Sequence, residues 1–431
     1  MEFEFPKGFL WGASTAAHQV EGDNLHSDWW AWEQAGRVNE RSGAACDHYR
    51  RFAQDFDLAE SLHHSAHRFS IEWSRVEPAE GQWDGAALAH YAEVVRALRS
   101  RGLEPIVTLH HFTTPQWLVR QGGWTTPKAV EHFQQYVARV VDTLGSSVRY
   151  WITINEPMVY VRMHFIQGLG PPGAKSLPKT LQVVEHLVRA HAAAYRIIHA
   201  QATPAAPAPL VSIAHNVPAF WPCRWYSPLD HLVTWMTDRI FILSWFQALT
   251  TGRWSVPGVT QRWHVPEAAN TLDYIGLNYY GRQFIRYVPP PGVWPGDGCD
   301  LGHHPRQVTE RTSMGWDVHP ASLLRVLMRL KPYCLPILVT ENGTSMADDA
   351  RRWSYIHRHL QAMARAMRRG VSVIGYCYWS LLDNFEWADG YGPRFGIVEV
   401  DYATQERRPR PSAYQYAEVC RTNRIQLNNQ G

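Results

Sequence analysis

Tyr150-Trp151-Ile152-Thr153-Ile154-Asn155-Glu156-Pro157 is apolar and β-branched for five residues and then stops on Asn-Glu-Pro. Such a run reads as a strand buried on both faces. Pro157 has no N–H and disfavours helix at the residue before it, so the strand ends at Glu156. A carboxylate is thereby left at the C-terminal tip of a buried strand, which is where catalytic groups sit in a (β/α)₈ barrel. One Glu in this position can equally be a cap on the next element. A second stretch, Pro336-Ile337-Leu338-Val339-Thr340-Glu341-Asn342-Gly343, repeats the design: an apolar strand, a Glu at its tip, then turn residues. Two carboxylates on two strand ends of one barrel can face each other across a sugar, and glycosidic bond cleavage uses such a pair.

Thr-Ile-Asn-Glu-Pro and Thr-Glu-Asn-Gly resemble the two signature stretches of glycoside hydrolase family 1, the retaining β-glucosidase family, and the resemblance runs from Phe5 to about Tyr414. It implies a single (β/α)₈ (TIM) barrel and a retaining β-glycosidase. The principal expected activity is that of a β-glucosidase acting on terminal β-D-glucosyl residues of small glycosides such as cellobiose, with β-galactosides and β-fucosides as further substrates. Glu341 is the implied nucleophile and Glu156 the implied acid/base.

The rest of the chain fits that architecture. Strands are predicted at 9–14, 66–72, 105–110, 150–155, 210–216, 274–280, 336–340 and 373–380. Helical periodicity follows each, at 52–62, 88–101, 127–144, 180–201, 229–249, 320–330, 351–369 and 412–419. This is strand then helix, eight times. Pro127 and Pro320 suit first helical positions, and Gly102 and Gly370 suit helix C-termini. No interdomain linker is visible, so one catalytic domain over 1–431 is expected. The Pro-rich pieces at 203–209 and 289–295 read as loops on the barrel.

Polar clusters fall at the predicted strand ends. Gln19 lies beside the first strand; its amide can donate to one hydroxyl and accept from the next, which suits a vicinal diol. Arg68 lies inside an apolar strand and needs a carboxylate partner. Glu341 is the natural one, because a guanidinium favours the ionised form of a neighbouring carboxyl; a pair with Glu72 is the alternative. His110 and His111 are adjacent on a strand and so point to opposite faces. The family register assigns the sugar contact to His111. The resemblance further implies that Asn155 holds the sugar 2-hydroxyl and that Tyr280 faces Glu341, with Asn278 on the same face. It implies that Trp379 forms a stacking floor, that Glu386 and Trp387 bind the outer hydroxyls, that Phe395 forms another wall, and that Trp316 lies on the leaving-group side.

Composition excludes other classes. The 431 residues are 45% hydrophobic and 19% charged with a net charge of +3, so no polyanion partner is implied and no basic run suggests nucleic acid. The 20 Trp suit both a large core and sugar stacking. No apolar run approaches the ~20 residues needed to span a bilayer, and residues 1–6 lack a charged-then-apolar leader pattern, which predicts a soluble cytoplasmic protein. A homo-oligomer is left open. The six cysteines are scattered and are expected to be free thiols, and the 22 His show no metal-ligand spacing, so no metal or other cofactor is expected.

Overall fold

The computed structural model describes residues 1–202, 207–256, 262–289 and 294–427. Eight parallel strands close into a barrel: β1 (Leu10–Ser14), β2 (Ala66–Ser70), β3 (Glu104–His110), β4 (Tyr150–Asn155), β5 (Leu210–Asn216), β6 (Ile275–Asn278), β7 (Ile337–Asn342) and β8 (Val373–Trp379). β8 pairs with β1 in register from Gly375–Leu10 to Trp379–Ser14, which shuts the sheet and leaves no edge. Side chains alternate as a strand requires. Tyr150 and Ile152 of β4 join Ala66, Ile106, Ala214, Leu338 and Cys377 inside the barrel, whereas Trp151 and Ile154 face the helices.

The principal helices are α1 (His48–Ser61), α2 (Gly85–Ser100), α3 (Lys128–Leu144), α4 (Leu177–Ala200), α5 (Pro228–Asp238), α6 (Ser244–Thr251), α7 (Pro320–Leu330), α8 (Asp349–Arg368) and α9 (Pro411–Thr422). They cover the barrel through faces spaced three and four residues apart. On α3 the buried set is Ala129, Val130, Phe133, Tyr136, Val137, Val140, Val141 and Leu144, and it packs on α4. Pro320 opens α7 at its first turn, while Pro127 stands one residue before α3. Gly102 and Gly370 follow α2 and α8 with φ of 70° and 81°, left-handed caps that cost a glycine nothing.

Three expectations are corrected. The single helix read over 229–249 is α5, a π-helical turn Arg239–Leu243, and α6. A three-stranded sheet outside the barrel, formed by Ala219–Pro222, Arg282–Tyr287 and Gly296–Gly298, adds strands that the reading of eight strands each followed by a helix did not contain. The Pro-rich pieces at 203–209 and 289–295 fall partly outside the described residues. The third correction concerns sulfur. Cys223 and Cys299 form a disulfide across 76 residues, and His303 lies beside them, so neither the free-thiol reading nor the absence of a His/Cys cluster holds there. The partners come together only through the accessory sheet, which no local spacing announces. Cys46, Cys334, Cys377 and Cys420 are free, with Cys377 buried as expected. No helix among the described residues is long and apolar enough to cross a membrane.

Candidate active site

β4 carries a register shift between Ile152 and Asn155 where it pairs with β5. Asn155 faces the barrel mouth, and the backbone then turns at Glu156, which adopts a left-handed conformation (φ 41°, ψ 57°). That conformation costs a non-glycine residue energy and persists where surroundings over-determine it. Here the Glu156 N–H donates to the Ala214 carbonyl at 2.7 Å, and Pro157 begins the next helix at its first position. β7 shows a matching device. Leu277 of β6 pairs with Val339, but Asn278 pairs with Glu341, so one residue of β7 is extra. Such bulges re-aim side chains beside active sites. β7 runs two residues beyond its predicted end, placing Glu341 within its last turn of ladder. At Gly343, a Cβ would lie 1.8 Å from the Trp379 carbonyl oxygen, so only glycine fits the Thr-Glu-Asn-Gly turn.

Glu341 is held from two sides: Arg68 Nη1 donates to its Oε1, and the Tyr280 hydroxyl donates to its Oε2 at 2.6 Å. Arg68 is fully buried and spends its remaining donors on Asn155 Oδ1 (2.7 Å), the Thr108 hydroxyl (3.1 Å) and the Thr340 carbonyl (3.3 Å). Glu72 instead accepts from Ser74 and Thr113, which removes the alternative pairing. The Tyr280 phenol is pushed well above its ordinary value, first by burial and then by the Glu341 charge, so it stays a donor. Tyr279 turns the other way and donates to the His319 carbonyl.

Glu156 sits in a different environment. Burial, and next the nearby Glu341, push its carboxyl up to about 8. Two amides, Asn278 Nδ2 at 2.9 Å and Asn216 Nδ2 at 3.0 Å, donate to Oε1 and offset only part of that. Asn278 is itself oriented by the Thr340 hydroxyl, 2.6 Å from its Oδ1. Asn216 was not singled out in the sequence. Its signal was available: it is the last residue of a predicted strand, like Asn155 and Tyr280.

The cavity has a volume of about 730 Å³ and is lined by Gln19, His111, Asn155, Glu156, Tyr280, Trp316, Glu341, Trp379, Glu386, Trp387 and Phe395. Such a volume suits a small ligand. Arg68 and Asn278 stand just behind this lining. Gln19 donates to Asn384 Oδ1, the Phe385 carbonyl and Glu386 Oε2, at 2.9, 2.9 and 3.3 Å, while its own Oε1 is buried without a protein partner. His111 is near parallel to Trp379 and Trp387, with centroids 6.0 and 6.2 Å apart. Its neighbour His110 packs behind the strand against Trp124 and Tyr160. Phe395 and Trp379 form a buried aromatic corner with Ala16. Trp316 is about one-third exposed at the rim, 5.6 Å from the Tyr280 ring. Glu386 has no cation partner among the described residues, and burial followed by Glu341, Asp389 and Glu156 raises its carboxyl to about 8. Arg394 faces away, over the Tyr402 ring. The far side of the cavity is formed by a π-helical turn, Arg162–Gln167, through Arg162, Met163 and Gln167. Sequence periodicity did not reveal that wall.

A closed barrel whose strand tips converge two carboxylates, an arginine and a shelf of indoles on one cavity defines a glycosidase. The chain belongs to glycosyl hydrolase family 1, whose family model matches residues 1–425. It is 30% identical to β-glucosidase A of Thermotoga maritima, over 98% of this chain and 99% of that protein. It is 31% identical to a bifunctional β-D-glucosidase/β-D-fucosidase of Bifidobacterium breve, over 94% of this chain and 96% of that protein. Among solved structures, a β-glycosidase from Pyrococcus horikoshii superposes with a TM-score of 0.92 at 37% identity, covering 99% of this chain and 97% of the other. The T. maritima β-glucosidase in complex with glucoimidazole superposes with a TM-score of 0.88 at 30% identity, covering 97% and 99%. The protein is therefore an O-glycosyl hydrolase, a retaining β-glycosidase.

Proposed function

We propose that Glu341 is the nucleophile and Glu156 the acid/base of a two-step displacement on β-glycosides, carried out by one catalytic unit over the whole chain. The observation that carries the reading is the asymmetry of the two carboxyls. Glu341 takes a guanidinium and a phenol donor, whereas Glu156 is kept protonated by burial and by Glu341 itself. In the first step a Glu341 oxygen attacks the anomeric carbon while Glu156 gives its proton to the departing oxygen. Forming the glycosyl ester removes the Glu341 charge that, after burial, had helped to hold the Glu156 proton. Glu156, left as a carboxylate by that proton transfer, takes a proton from water, which attacks the same carbon and releases the sugar and the Glu341 carboxylate.

Asn155 is proposed to hold the 2-hydroxyl, a contact that strengthens as positive charge builds at the anomeric centre. Arg68 and Asn278 position Asn155, Glu341 and Glu156. Gln19 Oε1, His111 and Glu386 are proposed to take the outer hydroxyls, with Trp379, Trp387 and Phe395 as apolar walls and Trp316 at the leaving-group side. The expected partners are small β-glycosides, with no nucleic acid or membrane partner. A cytoplasmic location is carried forward from the sequence, and the Cys223–Cys299 bridge weighs against it, since disulfides persist mainly in oxidising compartments.

Glu341→Gly tests the assignment. Hydrolysis should fall at least ~10³-fold, as expected where covalent catalysis supplies several kcal/mol. Azide should then enter from the vacated face and yield an α-glycosyl azide. A β-configured product, or near-normal hydrolysis by the variant, overturns it.

A further inference from the structure

The Cys223–Cys299 neighbourhood holds chemistry that glycoside hydrolysis does not use. Cys223 follows the accessory strand Ala219–Pro222, Cys299 follows Gly296–Gly298, and His303 ends the 3₁₀ turn Leu301–His303. Donor atoms of Cys223, Cys299 and His303 all lie within 4.8 Å of one another. His303 Nδ1 is 3.5 Å from Cys299 Sγ. A disulfide has no need of an imidazole at that distance. A tetrahedral divalent ion bound by both groups would hold them at a similar distance, since sulfur at ~2.3 Å and nitrogen at ~2.0–2.1 Å from the metal are separated by roughly 3.5 Å. His304 Nε2 also reaches Cys299 Sγ, at 3.4 Å, and its ring is fixed by parallel stacking on Phe284 at 3.9 Å. A donor to a ligating sulfur is the usual outer partner of a metal site.

The placement also suits an ion. Cys299 lines the sugar cavity, whereas Cys223, His303 and His304 line a second, outward-facing cavity of about 1180 Å³. An ion can therefore reach the cluster without passing through the substrate site.

We propose that, once the bridge is reduced, Cys223, Cys299 and His303 bind one thiophilic divalent cation of the zinc class, with His304 hydrogen-bonded to the Cys299 sulfur and the fourth position open to the outer cavity. The steps balance. A dithiol reductant delivers two electrons and two protons to the S–S bond and becomes a disulfide itself. The two thiols release two protons as the dication binds, and neutral His303 contributes its nitrogen lone pair. The centre is then uncharged overall. In the oxidised state the bridge ties the accessory sheet to the Leu301–His303 turn; in the reduced, metal-loaded state the ion ties the same segments. The wall of the leaving-group side stays closed in both.

The test uses the full chain, reduced with a phosphine, freed of metal anaerobically and titrated with Co²⁺. One equivalent should produce the near-ultraviolet thiolate-to-cobalt charge-transfer band and the visible bands of four-coordinate cobalt, and Zn²⁺ should displace them. Zn²⁺ should also raise the melting temperature of the reduced protein by several degrees. The oxidised protein should show neither effect. His303→Ala, which retains both cysteines, and Cys223→Ser should each lose the charge-transfer band or weaken Co²⁺ binding at least tenfold, with folding checked by circular dichroism. Absence of the band in wild-type protein whose thiols all titrate as reduced would overturn the proposal. So would a band unchanged in both variants, which would locate the thiolate ligand elsewhere.

Discussion

Glu156, the proposed acid/base, is a carboxyl that its surroundings keep from ionising. Burial is the largest cause and the neighbouring Glu341 the second, against which two amide donors are insufficient. The sign of the pH effect follows. The reactive form carries the proton, so kcat/KM should decline as pH rises through about 8, and Glu156→Gln should lack that alkaline limb. The same variant should slow glycosides with poor leaving groups far more than dinitrophenyl glycosides, whose leaving group needs no proton. Equal slowing of both substrate classes would remove Glu156 from the acid role. Measurement of both profiles on wild type and variant decides the matter.

At the scale of the element, the segment after β8 is proposed to set what the outer edge of the sugar is allowed to be. Glu386 sits there with Gln19 as donor, and burial first, then Glu341, Asp389 and Glu156, oppose its ionisation. Surroundings that push one carboxyl up to about 8 will oppose any other anion in the same place. A sugar 6-phosphate carries roughly −1.5 to −2 charges at neutral pH. The nearest cation along the segment, Arg394, is engaged with Asp383 and the Tyr402 ring instead. p-Nitrophenyl β-glucoside should therefore be preferred over its 6-phosphate by at least ~10²-fold, about 2.7 kcal/mol of discrimination. The preference should widen as pH rises through about 8 and Glu386 ionises. In Glu386→Ser much of the preference should disappear, mainly through poorer use of the neutral sugar. Comparable rates on the two substrates in wild type would show that Glu386 does not face that edge.

For the molecule as a whole, buried ionisable groups pull stability in two directions. His64, His110 and His359 are held down to about 3, and His164, His191 and His215 to about 4, chiefly by burial. They are neutral in the folded protein, while the unfolded chain takes up protons below an ordinary histidine value of about 6.5. Stability is therefore lost as pH falls below that value. Glu156 and Glu386 act in the opposite sense. Their folded values near 8 exceed the unfolded value of 4.5, so the unfolded chain ionises first and stability is lost as pH rises from 4.5 to about 8. Below about 6.5 the histidines oppose the two carboxyls, and above it the carboxyls act without them. Melting temperature should accordingly peak near pH 6.5, fall from there to pH 8, and fall less in Glu386→Gln. A melting temperature that climbs steadily through pH 8 would contradict this balance.

Local sequence was enough to determine the strand-helix repeat and to place Glu156 and Glu341 at strand tips, while the residues expected around the sugar came from the family resemblance. The reason is that a buried parallel strand demands a continuous apolar run, and a polar residue that ends such a run can only be at the mouth. β4 and β5 were legible to the residue, because both runs are bounded by turn chemistry. Tertiary structure decided what depends on pairing between distant segments. The extra residues in β4 and β7, which turn Glu156 and Glu341 toward one cavity, are differences in count between neighbouring strands and leave no mark within either strand. Asn216 became a partner of Glu156 only when β5 closed beside β4. The protonation of Glu156 and Glu386 is a property of burial and of like charges brought together from separate strands. Cys223 and Cys299 stand 76 residues apart, and only the accessory sheet carries them to bonding distance beside His303.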